Sequence, residues 1–175
     1  MGRTGLFDLE RHFAFYGAYH NNPVNILIHT VFVWPIMFTS MVLLYFTPSL
    51  YTFPAGFSHD FLLNFGFVFT VIYALFYVCL DKKAGSLAAL LCVLCWVGAS
   101  LLAGRLGFSL AWKKRAPALL DNLVQAFLMA PYFVLLEVLQ TAFGYEPYPG
   151  FHASVKEKID ANLNEWHEKK QKKIS

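Results

Sequence analysis

The sequence predicts an all-α fold: a multi-pass transmembrane bundle with about four apolar segments, an N-terminal amphipathic helix and a polar C-terminal helix. Three observations predict it. The chain is 57% hydrophobic and 14% charged over 175 residues, where a soluble domain carries about 25% charge. Its apolar residues gather in runs long enough for a ~30 Å hydrocarbon core. It holds 18 Phe and 9 Tyr, side chains that suit lipid-facing and interfacial positions. The length is that of one membrane domain over residues 1–175.

Residues 4–20 form the amphipathic helix, because Leu6, Leu9, Phe13 and Tyr16 recur at three- and four-residue steps and Thr4 can cap the start. Pro23 disfavours helix at Asn22, so His20–Pro23 is a turn. The first span covers 25–46 and carries no formal charge with His29 neutral; Pro35 kinks it. The second covers 61–80, a tight polar turn follows at Asp81–Gly85, and the third covers 86–104. The fourth, 118–140, is unusual in holding Asp121, Asn122, Gln125, Pro131 and Glu137. Residues 144–175 are a polar tail, with an exposed charged helix over 154–173.

The net charge is +3, with basic residues in short clusters at segment ends. That arrangement signals orientation and lipid-headgroup contact and excludes nucleic-acid binding. Cys79, Cys92 and Cys95 lie inside apolar runs, so a disulfide scaffold is excluded and the Cys92/Cys95 pair reads as packing. No cleavable signal peptide is visible, and Leu6 stands where a myristoylation site needs Ser or Thr. The loop after the first span lacks Lys and Arg, so it is lumenal and the Lys82-Lys83 turn cytosolic. Counting on, the most basic loop, Lys113-Lys114-Arg115, falls in the lumen, against the same rule. Either the third segment does not cross or an element is missing before the cluster. Lys172-Lys173 match a dilysine endoplasmic-reticulum signal; the alternative is an ordinary lysine-rich tail.

His12, Tyr16 and His20 are spaced four apart on one helix face, and His29 lies in the first turns of the first span. A histidine inside a span costs free energy unless it is paired, which makes it a functional candidate; the alternative is an ordinary hydrogen-bonded residue. His59, His152 and His167 sit in loop or tail. Asp121 and Gln125 share a helix face. His20, His29 and Asp121 could together supply two imidazoles and a carboxylate, the ligand set of non-haem Fe(II) oxygenases.

The strings FYGAYHNNPVNILIH, residues 15–29, and KRAPALLDNLVQAFLMAPYFVLLEVL, residues 114–139, resemble the endoplasmic-reticulum 2-hydroxy fatty acid dioxygenases, a family known from phytosphingosine breakdown in yeast and with plant members. The resemblance covers nearly the whole chain. It implies one-carbon shortening of a long-chain 2-hydroxy fatty acid, a step of α-oxidation and sphingolipid breakdown, with Fe(II) and molecular oxygen, in a multi-pass endoplasmic-reticulum membrane protein that meets its substrate in membrane lipid. By position, the resemblance makes His20 and His29 metal ligands and places the candidate catalytic residues Asp121 and Asn122 in the family's second polar motif. One departure stands out. The family carries a helix with a Q-F-x-G-H-x-x-F-E motif between the RLGFSL string and the KRAPALLDN string, and here Lys113 runs directly into Lys114. A gap of roughly 20 residues, one span, would also resolve the orientation conflict. Loss of that histidine implies impaired activity. The alternative is a non-catalytic scaffold or partner of the full-length enzyme. A transporter would need polar residues spread along several spans, and here they concentrate near two segment ends.

Overall fold

The computed structural model describes residues 5–19, 22–50, 63–107 and 128–174, and among these the chain is all-helical. A 3-10 turn at Gly5–Phe7 precedes α1 (Leu9–Tyr19), α2 (Pro23–Tyr45), α3 (Phe65–Leu80), α4 (Lys82–Leu106), α5 (Ala130–Phe143) and α6 (Phe151–Ile174). The all-α expectation therefore stands. The chain divides into two compact units, Met1–Thr30 with Phe133–Ser175, and Val31–Tyr132.

Helix starts follow local capping chemistry. Asp8, rather than Thr4, opens α1: its Oδ1 accepts from the Arg11 N–H at 3.0 Å. Thr4 lies outside the described residues. Asn22 is the cap of α2, accepting from the Val24 N–H at 2.9 Å, and Pro23 takes the first helical position, where its missing N–H costs nothing. α2 has 23 residues and α4 has 25, about 34 and 37 Å at 1.5 Å per residue. Both are long and apolar enough to cross a membrane, and many of their large apolar side chains are exposed, Leu27, Val31 and Phe32 on α2 and Leu90 and Leu94 on α4 among them.

In the unit Val31–Tyr132, α3 and α4 form a hairpin. The expected polar turn at Asp81–Gly85 is replaced by one residue. The Asp81 N–H donates to the Tyr77 carbonyl at 3.1 Å and closes α3, while its carboxylate accepts from the Lys83 and Ala84 N–H groups and opens α4. With those orphan donors satisfied, Lys82–Gly85 become helix and α4 begins four residues before the expected span. Gly66, Thr70, Tyr73, Tyr77 and Leu80, buried on α3, alternate steps of four and three, and Phe76 is buried beside them. Facing positions on α4 are small: Ala84, Gly85, Ala88, Cys92, Ala99 and Ala103 are all buried. Large residues on one helix against small ones on the other is a packing that works in lipid, where close approach replaces hydrophobic driving force. At Gly85 a Cβ would stand 1.9 Å from the Tyr77 carbonyl oxygen.

The expected second span over 61–80 is helical only from Phe65. Asn64 stops it there: it is buried, its Oδ1 accepts from the Phe67 N–H at 3.1 Å, and its Nδ2 donates to the Tyr45 carbonyl at the end of α2 at 3.0 Å. One side chain thus satisfies a helix start and a helix end. Residues 61–62 lie outside the described residues, as do 118–127 of the expected fourth span; α5 runs on to Phe143, three residues past that span. Tyr77, fully buried, stacks on Tyr132 at 5.2 Å and donates to the Leu128 carbonyl at 2.8 Å.

In the other unit the polar tail is docked. α6 buries Phe151 and Val155, and Phe151 packs on Phe13 of α1 at 5.6 Å. Glu146 caps α6, accepting from the Gly150 N–H at 3.1 Å and the His152 N–H at 3.3 Å. Glu10 ties α1 to α6. Its carboxylate accepts from the Ser154 and Tyr148 hydroxyls and pairs with Lys158 Nζ at 2.6 Å. The Lys158 bond, then those of Ser154 and Tyr148, hold its pKa down at about 2, from an ordinary 4.5. A depressed carboxylate pKa contributes stability that is complete above about 4.5 and is lost as pH falls toward 2. Acid titration from pH 5 to 2.5, read by hydrogen exchange on α6, is therefore expected to loosen α6 progressively. Glu10→Gln should flatten that dependence.

Candidate functional site

Three elements of one unit bring polar side chains together: α1 carries Tyr16, the first turns of α2 carry His29, and α5 carries Glu137. Tyr16 is buried, its ring packed on Phe133 at 5.4 Å and on Phe13 at 6.0 Å. Its hydroxyl donates to Glu137 Oε2 at 3.3 Å. Burial, and secondarily the Glu137 charge, push the phenol pKa up, so the hydroxyl keeps its proton and remains a donor.

His29 is half-buried, with Nδ1 2.9 Å from the Asn25 carbonyl one turn earlier. A carbonyl only accepts, so Nδ1 carries a proton, and in the neutral imidazole Nε2 is then the acceptor. This is the arrangement of metal-ligating histidines, in which the second ring nitrogen donates to a backbone carbonyl or carboxylate and so sets tautomer and ring orientation. His29 and Glu137 lie within electrostatic reach of one another.

Of the sequence-predicted site residues, only His29 is among the described ones; His20, Asp121 and Asn122 lie outside them. Among the described residues no three His, Cys, Asp or Glu side chains form a metal-holding group. The donors that are seen, an imidazole nitrogen and a carboxylate, are of the types that suit Fe(II). His12 has a local role, with Nε2 3.2 Å from the Gly5 carbonyl. His152 lies in the first turn of α6 rather than in a loop, with Nε2 3.1 Å from the Tyr145 carbonyl. The Tyr16–Glu137 pair was not predicted. Its signal was the cost of an ionisable residue within an apolar run, which demands a partner without naming it.

Two helices long and apolar enough to cross a membrane and, in the unit Met1–Thr30 with Phe133–Ser175, a histidine and a tyrosine-held carboxylate define an all-helical protein suited to membrane association. The chain belongs to the Mpo1-like family, whose description is 2-hydroxy-palmitic acid dioxygenase Mpo1-like and whose family model matches residues 6–142. It is similar to the 2-hydroxy-palmitic acid dioxygenase MPO1 of Saccharomyces cerevisiae, 32% identical over 154 residues that take in 77% of this chain and 82% of the yeast protein. No solved structure matches. The family match stops within α5, so α6 lies beyond it.

Proposed function

We propose that this chain is a dioxygenase-type protein of the endoplasmic-reticulum membrane that acts on long-chain 2-hydroxy fatty acids, with turnover impaired by an internal deletion. The observation that carries the reading is His29: in a family described as 2-hydroxy-palmitic acid dioxygenase, its Nδ1 proton is committed to the Asn25 carbonyl, which in the neutral imidazole leaves Nε2 the acceptor. Fe(II), when bound, supplies open positions for the carboxylate and hydroxyl of a 2-hydroxy acid and for molecular oxygen. His20 and His29 are the protein's imidazole ligands in this reading, and Asp121 and Asn122 its candidate catalytic residues. The chain's own contribution is to hold His29 in the first turns of the apolar helix α2, where a long acyl chain can approach from lipid. The outward apolar faces of α2 and α4 support membrane insertion.

A deletion of one span would fit the alignment, whose 154 positions exceed the 77% of 175 residues that they occupy here by a total of roughly 20. Expression in a strain lacking its own enzyme, fed labelled 2-hydroxypalmitate, tests the reading: odd-chain product should stay far below that of a full-length relative. Equal output would refute the impairment. Such a deletion also favours a second reading, a non-catalytic scaffold or partner of the full-length enzyme. Iron content separates the two, because a scaffold should hold none.

A further inference from the structure

We infer that the outer face of α1, formed by Arg11 and Phe15 with Leu6 and Phe7 leading into it, is a docking surface for phospholipid headgroups at the membrane–water interface. The inference rests on the membrane reading above and adds a surface which that reading does not use.

The two sides of α1 meet different surroundings. Leu9, Phe13 and Tyr16 of the expected apolar stripe are buried within the unit Met1–Thr30 with Phe133–Ser175. Glu10 bonds Ser154 and Lys158 of α6, Phe13 packs on Phe151, and a Cβ on Gly17 would stand 2.6 Å from Ile159 Cδ1. Glu10, Phe13 and Gly17 thus mark the side that meets α6. Arg11 and Phe15 lie roughly 150° round the helix from that side, at about 100° per residue. Phe15 is 38% exposed, and Leu6 and Phe7 of the 3-10 turn are 47% and 42% exposed. The exposed residues of α6 include Lys156, Glu157 and Asp160, which suit water.

Tether, length and charge together commit the outer face to a lipid interface. Residues 20–22 alone separate α1 from α2, so the end of α1 stays within about 14 Å of Pro23, where the apolar helix begins. With 11 residues, α1 is about 16 Å long, too short for a ~30 Å hydrocarbon core but long enough to lie along its surface. Asp8 is committed to the helix start and Glu10 to Lys158. Arg11 is therefore the exposed charge of α1, and among the described residues it forms no ion pair. An arginine beside exposed aromatic rings lays its stem on apolar surface and presents its guanidinium to phosphate, which it can bind with two parallel hydrogen bonds.

Photocrosslinking of the full chain, reconstituted in phosphatidylcholine vesicles containing phosphatidylserine, tests this. Benzoylphenylalanine is introduced singly: Phe15→benzoylphenylalanine on the proposed face, Phe32→benzoylphenylalanine at an exposed position of α2, and Lys156→benzoylphenylalanine on α6, with adducts identified by mass. Positions 15 and 32 should carry lipid and position 156 none. Arg11→Gln should lower the lipid adduct at position 15 about fivefold, the ratio that corresponds to about 1 kcal/mol for one basic residue at an anionic surface, and leave position 32 unchanged. Lipid at position 32 without lipid at position 15, or protein–protein adducts at position 15, would overturn the inference and leave the membrane reading standing. Lipid at neither position would overturn both. An unchanged yield at position 15 in Arg11→Gln would overturn the headgroup contact.

Discussion

Replacing Gly85 with alanine destabilises the α3–α4 hairpin by about 3 kcal/mol, at the upper end of the usual range for overpacking. The obstacle is backbone, not a movable side chain. The added Cβ would sit 1.9 Å from the Tyr77 carbonyl oxygen and 2.5 Å from its carbon. Neither atom can rotate away, because the same carbonyl accepts from the Asp81 N–H that closes α3. Relief requires the helices to part or the first turn of α4 to unwind, and parting would open contacts along the Ala88, Cys92, Ala99 and Ala103 stripe. Alanine's better helix propensity returns only about 1 kcal/mol. Ser86→Ala is the control. Its side chain is exposed, so the change should cost at most about 0.5 kcal/mol. Thermal unfolding in detergent reads both; equal melting temperatures for the two variants would contradict the close approach.

His29→Ala removes bound iron. Changing a group that only orients a ligand typically costs about 10–100-fold in metal affinity, so deleting the ligand itself should cost about a hundredfold or more. On the proposed reading, that leaves no measurable iron after purification. The fold should survive, because His29 is only half-buried and its bond to Asn25 lies within one helical turn. Iron per chain by elemental analysis, compared with helix content by circular dichroism, is the measurement. Parent-level iron in His29→Ala would remove this residue from the site.

The helical class was legible because hydropathy and segment length are local quantities. The α2 start is earlier than the pattern suggests: Pro23, expected in a turn with the span from residue 25, is the first helical residue, with Asn22 as its cap. The other boundaries failed where capping and hydropathy disagree. Phe61, Leu62 and Leu63 extend the apolar run of α3 past the point where Asn64 starts the helix. Lys82 and Lys83 look like loop residues, yet Asp81 makes them the first turn of α4. At the site, His29 could be named from its depth in an apolar segment. Its tautomer could not, because that depends on which carbonyl lies beside Nδ1. Tyr16 and Glu137 were each visible as candidates with a polar group to satisfy, but only the fold pairs them.

The one-residue link at Asp81 bears on how the chain comes to be folded. Ring closure across a single residue has almost no entropic cost, and every contact it enables between α3 and α4 is short-range in sequence. The hairpin should therefore assemble early and enter the bilayer as a preformed pair. The Ser154–Glu10 bond joins positions 144 apart and can form only after the C-terminal helix has been made. Synthesis thus leaves α1 waiting for α6, and the time between those two events is when its apolar face stands open to chaperones or to another chain.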